Sequence, residues 1–408
     1  MKNTMHWLSQ IRLLWVCSFT LFFLLNLDQF GVASGLGPAP KYWITGAFFV
    51  SFLLFLPGLK LAPVLRRPLI WWALAYLLLS VLWIGLADNM ESARDGLVLV
   101  ITTCLFAGMA VISYPQLQQS NRAWRTCLWL GLGLGVASIL QEYSNPNSYV
   151  FAGAGQSIIG RAAGLYLNPN AAAQAIVMIL ACLMLRGSPT ANLVAAMVTL
   201  VGVFLTFSRG GMLAWAVLVL FATLRGRLPR WLLVAVSLCA VVIVLAGAQV
   251  LDALSAVIAP ENRNSLDRLA WLVGQGSLSD PSAGERNYIV VYGWDQFLLA
   301  PFFGHGLGYM WVWPAGVGSH NLMLRHLVEY GILGIVILPL FLLASIRSAA
   351  DGADRLWLRL VAGIALLFSL FSHNLLEQGS FLLPWLALCL MPATETWPAH
   401  REKPVGRT

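Results

Sequence analysis

The chain has 408 residues, 59% of them hydrophobic and 10% charged, with a net charge of +8 and a mean hydropathy of +0.76. Soluble domains carry about 25% charged residues, so this composition excludes a water-soluble globular enzyme and makes lipid the solvent. Segments that cross hydrocarbon must satisfy their own backbone hydrogen bonds, and uncharged apolar runs of about 17–25 residues are helices rather than barrel strands.

The pattern predicts an all-α, polytopic membrane protein with about twelve transmembrane helices. In chain order the spans are expected at 11–27, 43–61, 69–87, 95–114, 124–141, 170–186, 190–207, 211–225, 231–250, 321–346, 357–376 and 379–394. The seventh and eighth could form one hairpin, and the last could lie at the interface. No small-residue cleavage site follows the first apolar run, which reads as a span and not as a signal peptide. Residues 1–408 form a single integral membrane domain, and 251–320 is a long periplasmic loop within it that carries short helices. Counting connections alternately from an inner N-terminus puts seventeen of the 25 basic residues on the inner side, beside four of the 17 acids. That asymmetry predicts an even number of spans with both termini cytoplasmic and the remaining chemistry on the outer side. The pI of about 9.4 therefore reports topology, and no nucleic-acid partner is expected. The six cysteines fall within or at the ends of apolar runs without a CxxC pair, as small buried residues do.

Eight basic residues oppose the inside bias and need another reason to lie outside. Arg161 precedes "LNPN", where Asn168 can cap a helix and Pro169 fits its first turn. Arg209 follows Ser208 in "FSRGGM", whose glycines allow close backbone approach. Arg286 lies in "SAGERNY", and Arg325 lies four residues before Glu329, with which it can pair. The sixth, eighth and tenth spans all start outside, and helix N-termini favour anions. If those ends converge, Arg161, Asn168, Asn170, Ser208, Asn321 and Arg325 are candidate substrate-binding residues. Arg209 and Arg286 are then candidate charge-neutralising catalytic residues, because the guanidinium fork matches phosphate. His320, in "SHN" at a helix start, is the candidate base. Each has a plainer alternative: helix-end bonding for Arg209, pairing with Glu285 for Arg286, a structural turn for His320. His305 reads as a turn residue and His326 as packing, while His373 and Glu377 share a face of the eleventh span as a buried pair. No P-loop, zincin or paired-Asp motif occurs, and neither a metal nor a cofactor is expected.

"RAAGLYLNPNAAAQ", "LTFSRGGMLAW", "SAGERNYIVVYGWDQFLLAPFFGHGLG" and "SHNLMLRHLVEYGILG" follow one another in this order. Together they resemble the O-antigen ligase and polymerase superfamily (Wzy/WaaL type) over roughly residues 155–345. The resemblance implies a GT-C-like fold in the bacterial inner membrane with its site facing the periplasm, an undecaprenyl diphosphate-linked glycan as donor and lipid A-core or a growing glycan as acceptor, among membrane lipids. It carries the family's "SRG" arginine onto Arg209, the arginine before the loop helix onto Arg286, the "HN" histidine onto His320 and the arginine before "NPN" onto Arg161. Glu285 departs from the family pattern, which has a small or neutral residue there. A ligase is favoured over a polymerase or a protein O-oligosaccharyltransferase. A transporter or flippase of an anionic lipid is the non-enzyme alternative.

Overall fold

The computed structural model describes residues 2–117, 122–149, 161–232, 234, 235, 238, 281–315 and 318–392. Among them there are helices and turns and no strands. The helices are α1 (Lys2–Leu24), α2 (Leu27–Ala33), α3 (Pro40–Phe55), α4 (Leu61–Leu65), α5 (Pro68–Ile84), α6 (Met90–Ser113) and α7 (Arg122–Ser144). Then come α8 (Pro169–Arg186), α9 (Pro189–Thr206), α10 (Arg209–Leu224), α11 (Pro281–Leu299), α12 (Leu322–Tyr330), α13 (Gly334–Arg347), α14 (Arg355–Ser369) and α15 (Gly379–Leu390). Proline opens α3, α5, α8 and α9, where its missing N–H and fixed φ cost nothing.

Seven described helices are long and apolar enough to cross a membrane, counting α12 and α13 as one, and three shorter apolar helices accompany them. The chain is thus a polytopic helical membrane protein. The expected span at 231–250 and loop residues 251–280 lie outside the described residues, apart from 231, 232, 234, 235 and 238.

Helix α8 is the axis of the bundle: fifteen of its 18 residues are buried, so it is apolar all round. Small residues let neighbours close on it. A Cβ at Gly202 of α9 would come within 2.8 Å of Ile176, and one at Gly211 of α10 within 2.5 Å of Ala173. Helix α15 is buried along all 12 of its residues. The last span, expected at 379–394 with an interfacial position as the alternative, is thus a short helix enclosed by protein. At about 18 Å it is too short to span alone and lies inside protein.

Two spans differ in detail from a plain helix. The tenth, expected at 321–346, is the apolar stretch Leu322–Arg347, but it is not one unbroken helix. It breaks at Gly331, whose φ of 64° lies in the left-handed region, and resumes at Gly334. The loop after α11 repairs the break. His305 N donates to Val328 O at 2.9 Å, Gly306 N to Glu329 O at 3.1 Å, and Ile332 N to Pro301 O at 2.8 Å. The glycines of "GHGLG" adopt positive φ, and a Cβ on Gly308 would strike the Ser92 carbonyl at the start of α6. The eleventh span also ends early, at Ser369. Residues 370–378 form a protein-lined connection, tied down where Thr103 Oγ1 donates to Leu376 O at 2.7 Å. His373 and Glu377 therefore lie on this connection and do not share a helix face.

Candidate functional site

The starts of α8 and α10 meet through side chains. Asn168 caps α8, accepting from the backbone N–H of Asn170 at 2.8 Å and of Ala171 at 3.4 Å. Ser208 caps α10, accepting from Gly211 N at 3.3 Å. Asn170 Oδ1 joins the two starts, accepting from Ser208 Oγ and from Arg161 Nη2, each at 3.0 Å. Arg161 is 6% exposed and also donates through Nε to Thr206 O at 3.0 Å. It braces the junction from below. Its own segment is held by Glu142 of α7, which accepts from the backbone N–H of Ala163 at 2.6 Å and of Gly164 at 2.5 Å. Arg209, half-buried, is the first residue of α10.

The start of α12 reaches the same region through residues 370–378. Asn321 caps α12, accepting from Leu324 N at 3.0 Å. His320 immediately precedes it, half-buried, with φ of 50° and its ring centroid 5.7 Å from that of His373. His373 is packed against Gly318 and Trp311. Burial, then the charge of Arg325 and the His320 ring, push its imidazole down to about 3, so it is neutral. Two residues earlier, the Phe371 ring would lie 2.9 Å from a Cβ at Gly210 of α10. The three helix starts thus gather around this one connection.

Arg325 makes the ion pair with Glu329 that its spacing offered, and a closer one with Glu377. It is 3% exposed, donates through Nη1 to Glu377 Oε1 at 2.6 Å and to His373 O at 3.2 Å, and approaches Glu329 at 3.5 Å. A guanidinium held between two carboxylates orients the connection that carries His373. Helix α11, which carries Arg286, packs on α12 through Ile289, Phe297, Leu324 and Val328. The side chain of Arg286 lies outside the described residues.

In front of α8 opens a cavity of about 520 Å³, within the size range of small-molecule sites. Asn168 and Tyr166 form one wall, and His373, Glu377 and Trp311 another. Its remaining wall comes from the first third of the chain: Asp28 of α2, Lys41 of α3, and Asp95 and Thr102 of α6. Of this wall the sequence reading singled out only Lys41, one of the eight outward basic residues. The missed signal was an acid, Asp28, amid the apolar run "FFLLNLDQFGV". Asp28 is 7% exposed, and burial raises its carboxyl to about 6. Among the described residues no three His, Cys, Asp or Glu side chains group as a metal site would.

One local device repeats. Leu167, Phe207 and His320 have φ of 59°, 47° and 50°, and each stands immediately before the capping residue of α8, α10 or α12. A non-glycine residue in this conformation costs roughly 1–2 kcal/mol. The same turn folds the incoming chain over all three helix starts.

Residues 193–339 match the family model described as O-Antigen ligase. The match spans α9 to α13 and includes Arg209, His320 and Arg325. A comparison with curated proteins finds no match.

Proposed function

We propose, from the premise that the chain belongs through residues 193–339 to the O-antigen ligase and polymerase superfamily, that it transfers a glycan from undecaprenyl diphosphate to a hydroxyl of lipid A-core. The observation that carries this reading is the joining of the α8 and α10 starts at Asn170, beside Arg209 and a cavity whose far wall leads to His320. The positive dipole ends of α8 and α10 and a guanidinium at this junction suit a diphosphate. Arg209, with Arg286 from α11, offsets the charge that develops on the departing diphosphate. His320 takes the proton from the acceptor hydroxyl as that oxygen attacks the anomeric carbon. The new C–O bond forms as the bond to the diphosphate oxygen breaks, from the opposite face, so the anomeric centre inverts. Arg161 holds the junction in place, and Arg325 does the same for His373. The site faces the periplasm, and the chain lies in the inner membrane with both termini cytoplasmic.

The test is transfer by the purified protein, given lipid-linked glycan and lipid A-core. A new glycosidic bond to the core supports the reading. Growth of the glycan on the lipid carrier instead identifies a polymerase, and absence of any new bond overturns glycosyl transfer altogether.

A further inference from the structure

The cavity in front of α8 has the wrong charge for a diphosphate. Two carboxylates without an arginine partner, Asp28 and Asp95, line it with Glu377, which Arg325 already neutralises, against the single lysine Lys41, while Arg161, Arg209 and Arg325 do not line it. Its unused hydrogen-bonding capacity is mainly of the accepting kind, the unpartnered Tyr166 hydroxyl aside. Among the described residues Asp28, 7% exposed, accepts from the backbone N–H groups of Gln29 and of its own residue, which leaves carboxylate lone pairs over. Gln378 spends its Nε2 on Asn374, at 2.8 Å, and its Oε1 has no partner. His373 Nδ1 has none either. A surplus of acceptors calls for a ligand rich in donors, and buried polar groups left unmatched are costly unless a ligand completes them. Trp311, half exposed on the same wall, offers the flat apolar face that the C–H side of a sugar ring covers.

We propose that this cavity is a sugar subsite, separate from the diphosphate-binding helix tips, in which Asp28 and Asp95 accept hydrogen bonds from glycan hydroxyls. This rests on the glycosyl-transfer reading and divides its substrate between two places. The ring to be joined sits in the acidic cavity, and the diphosphate sits outside it at the α8–α10 junction. Hydroxyls of the donor glycan and of the acceptor share this chemistry.

The experiment is a binding titration on the full chain in lipid nanodiscs with three soluble probes: lipid-free core oligosaccharide, lipid-free repeat-unit oligosaccharide, and inorganic pyrophosphate. Asp28→Asn and Asp95→Asn are each expected to weaken one oligosaccharide by about 10–100-fold, the loss of a hydrogen bond to a charged group, and to leave pyrophosphate unchanged. Arg209→Gln is expected to do the reverse. Loss of the core oligosaccharide places the acceptor in the cavity, and loss of the repeat unit places the donor there. Asp28→Asn removes a buried carboxylate without a counter-charge, so its melting temperature is expected to match or exceed wild type; a purely structural Asp28 would lower it. Asp95 is exposed, so its variant decides the matter even if Asp28→Asn does not fold. Full oligosaccharide affinity in a folded variant, or equal loss of pyrophosphate, overturns the subsite. If the wild type nevertheless transfers glycan, the enzymatic reading stands and the cavity assignment alone falls.

Discussion

The cavity's two sides are built on different principles. The back side, from α8 to α12, uses capped helix starts and arginines drawn from short, chemically unusual stretches of chain. The front side, from α2, α3 and α6, uses single polar residues far apart in sequence, Asp28, Lys41 and Asp95, set in otherwise apolar helices. The arginines stand outside the cavity, at the α8–α10 junction and beside His373, while the cavity itself is lined mainly by acceptors. On the proposed reading a diphosphate ester of a sugar meets its complement in two adjoining places, the phosphate end at the junction and the sugar end in the cavity.

The contrast breaks most visibly at His320. His320→Asn keeps a residue that tolerates the left-handed conformation and removes the base. In the transfer assay kcat is expected to fall by about 10²–10⁴, equivalent to about 2.7–5.5 kcal/mol, with KM nearly constant. Next in size is Glu377→Ala, which strips a carboxylate from buried Arg325. It is expected to destabilise the fold by about 3–5 kcal/mol, read as a drop in the unfolding temperature in detergent. A loss of activity without a loss of stability would instead move Glu377 into the chemistry. Arg209→Gln follows, with kcat reduced about 10²–10³ and stability nearly unchanged.

Asp28 tests the front side through pH. Its carboxyl is raised from 3.8 to about 6, so the folded state binds the proton more tightly than the unfolded one. Stability therefore falls as pH rises from about 4 to about 6, by about 3 kcal/mol, and then levels off. Asp28→Asn is expected to flatten that slope. An unchanged slope would assign it to another group. Smallest is Asn168→Ala, which loses the α8 cap and about 0.5–2 kcal/mol, again read as melting temperature.

Much of the frame was legible in the chain. The span expected at 170–186 is the helix 169–186, and that expected at 190–207 is 189–206, because Asn168–Pro169 and Ser188–Pro189 mark their starts. The cap Asn168 was read for the same reason, a short polar side chain before an apolar run, whereas Ser208 and Asn321, expected as binding residues, also cap their helices. The break at Gly331 was not readable, since apolar residues flank it on both sides and hydropathy sees no interruption. Nor was the end of α14 at Ser369, where "LFSLFSHNLLEQGSFLLPW" stays largely apolar through a non-helical turn. The front of the cavity escaped for a deeper reason. Asp28 and Asp95 become neighbours of Asn168 only through the packing of α2, α6 and α8, and no local pattern carries that information.

Leu167, Phe207 and His320 have one more consequence. Each holds a tight reversal that hydrogen bonds and packing within the protein already enforce, so the three helix tips are wound before anything binds. A ligand arriving there needs no rearrangement of its host and loses no affinity to ordering it. Substrate-free and substrate-loaded forms are expected to superpose at 167–170, 207–211 and 320–324 to within about 1 Å, leaving motion to whatever closes over them.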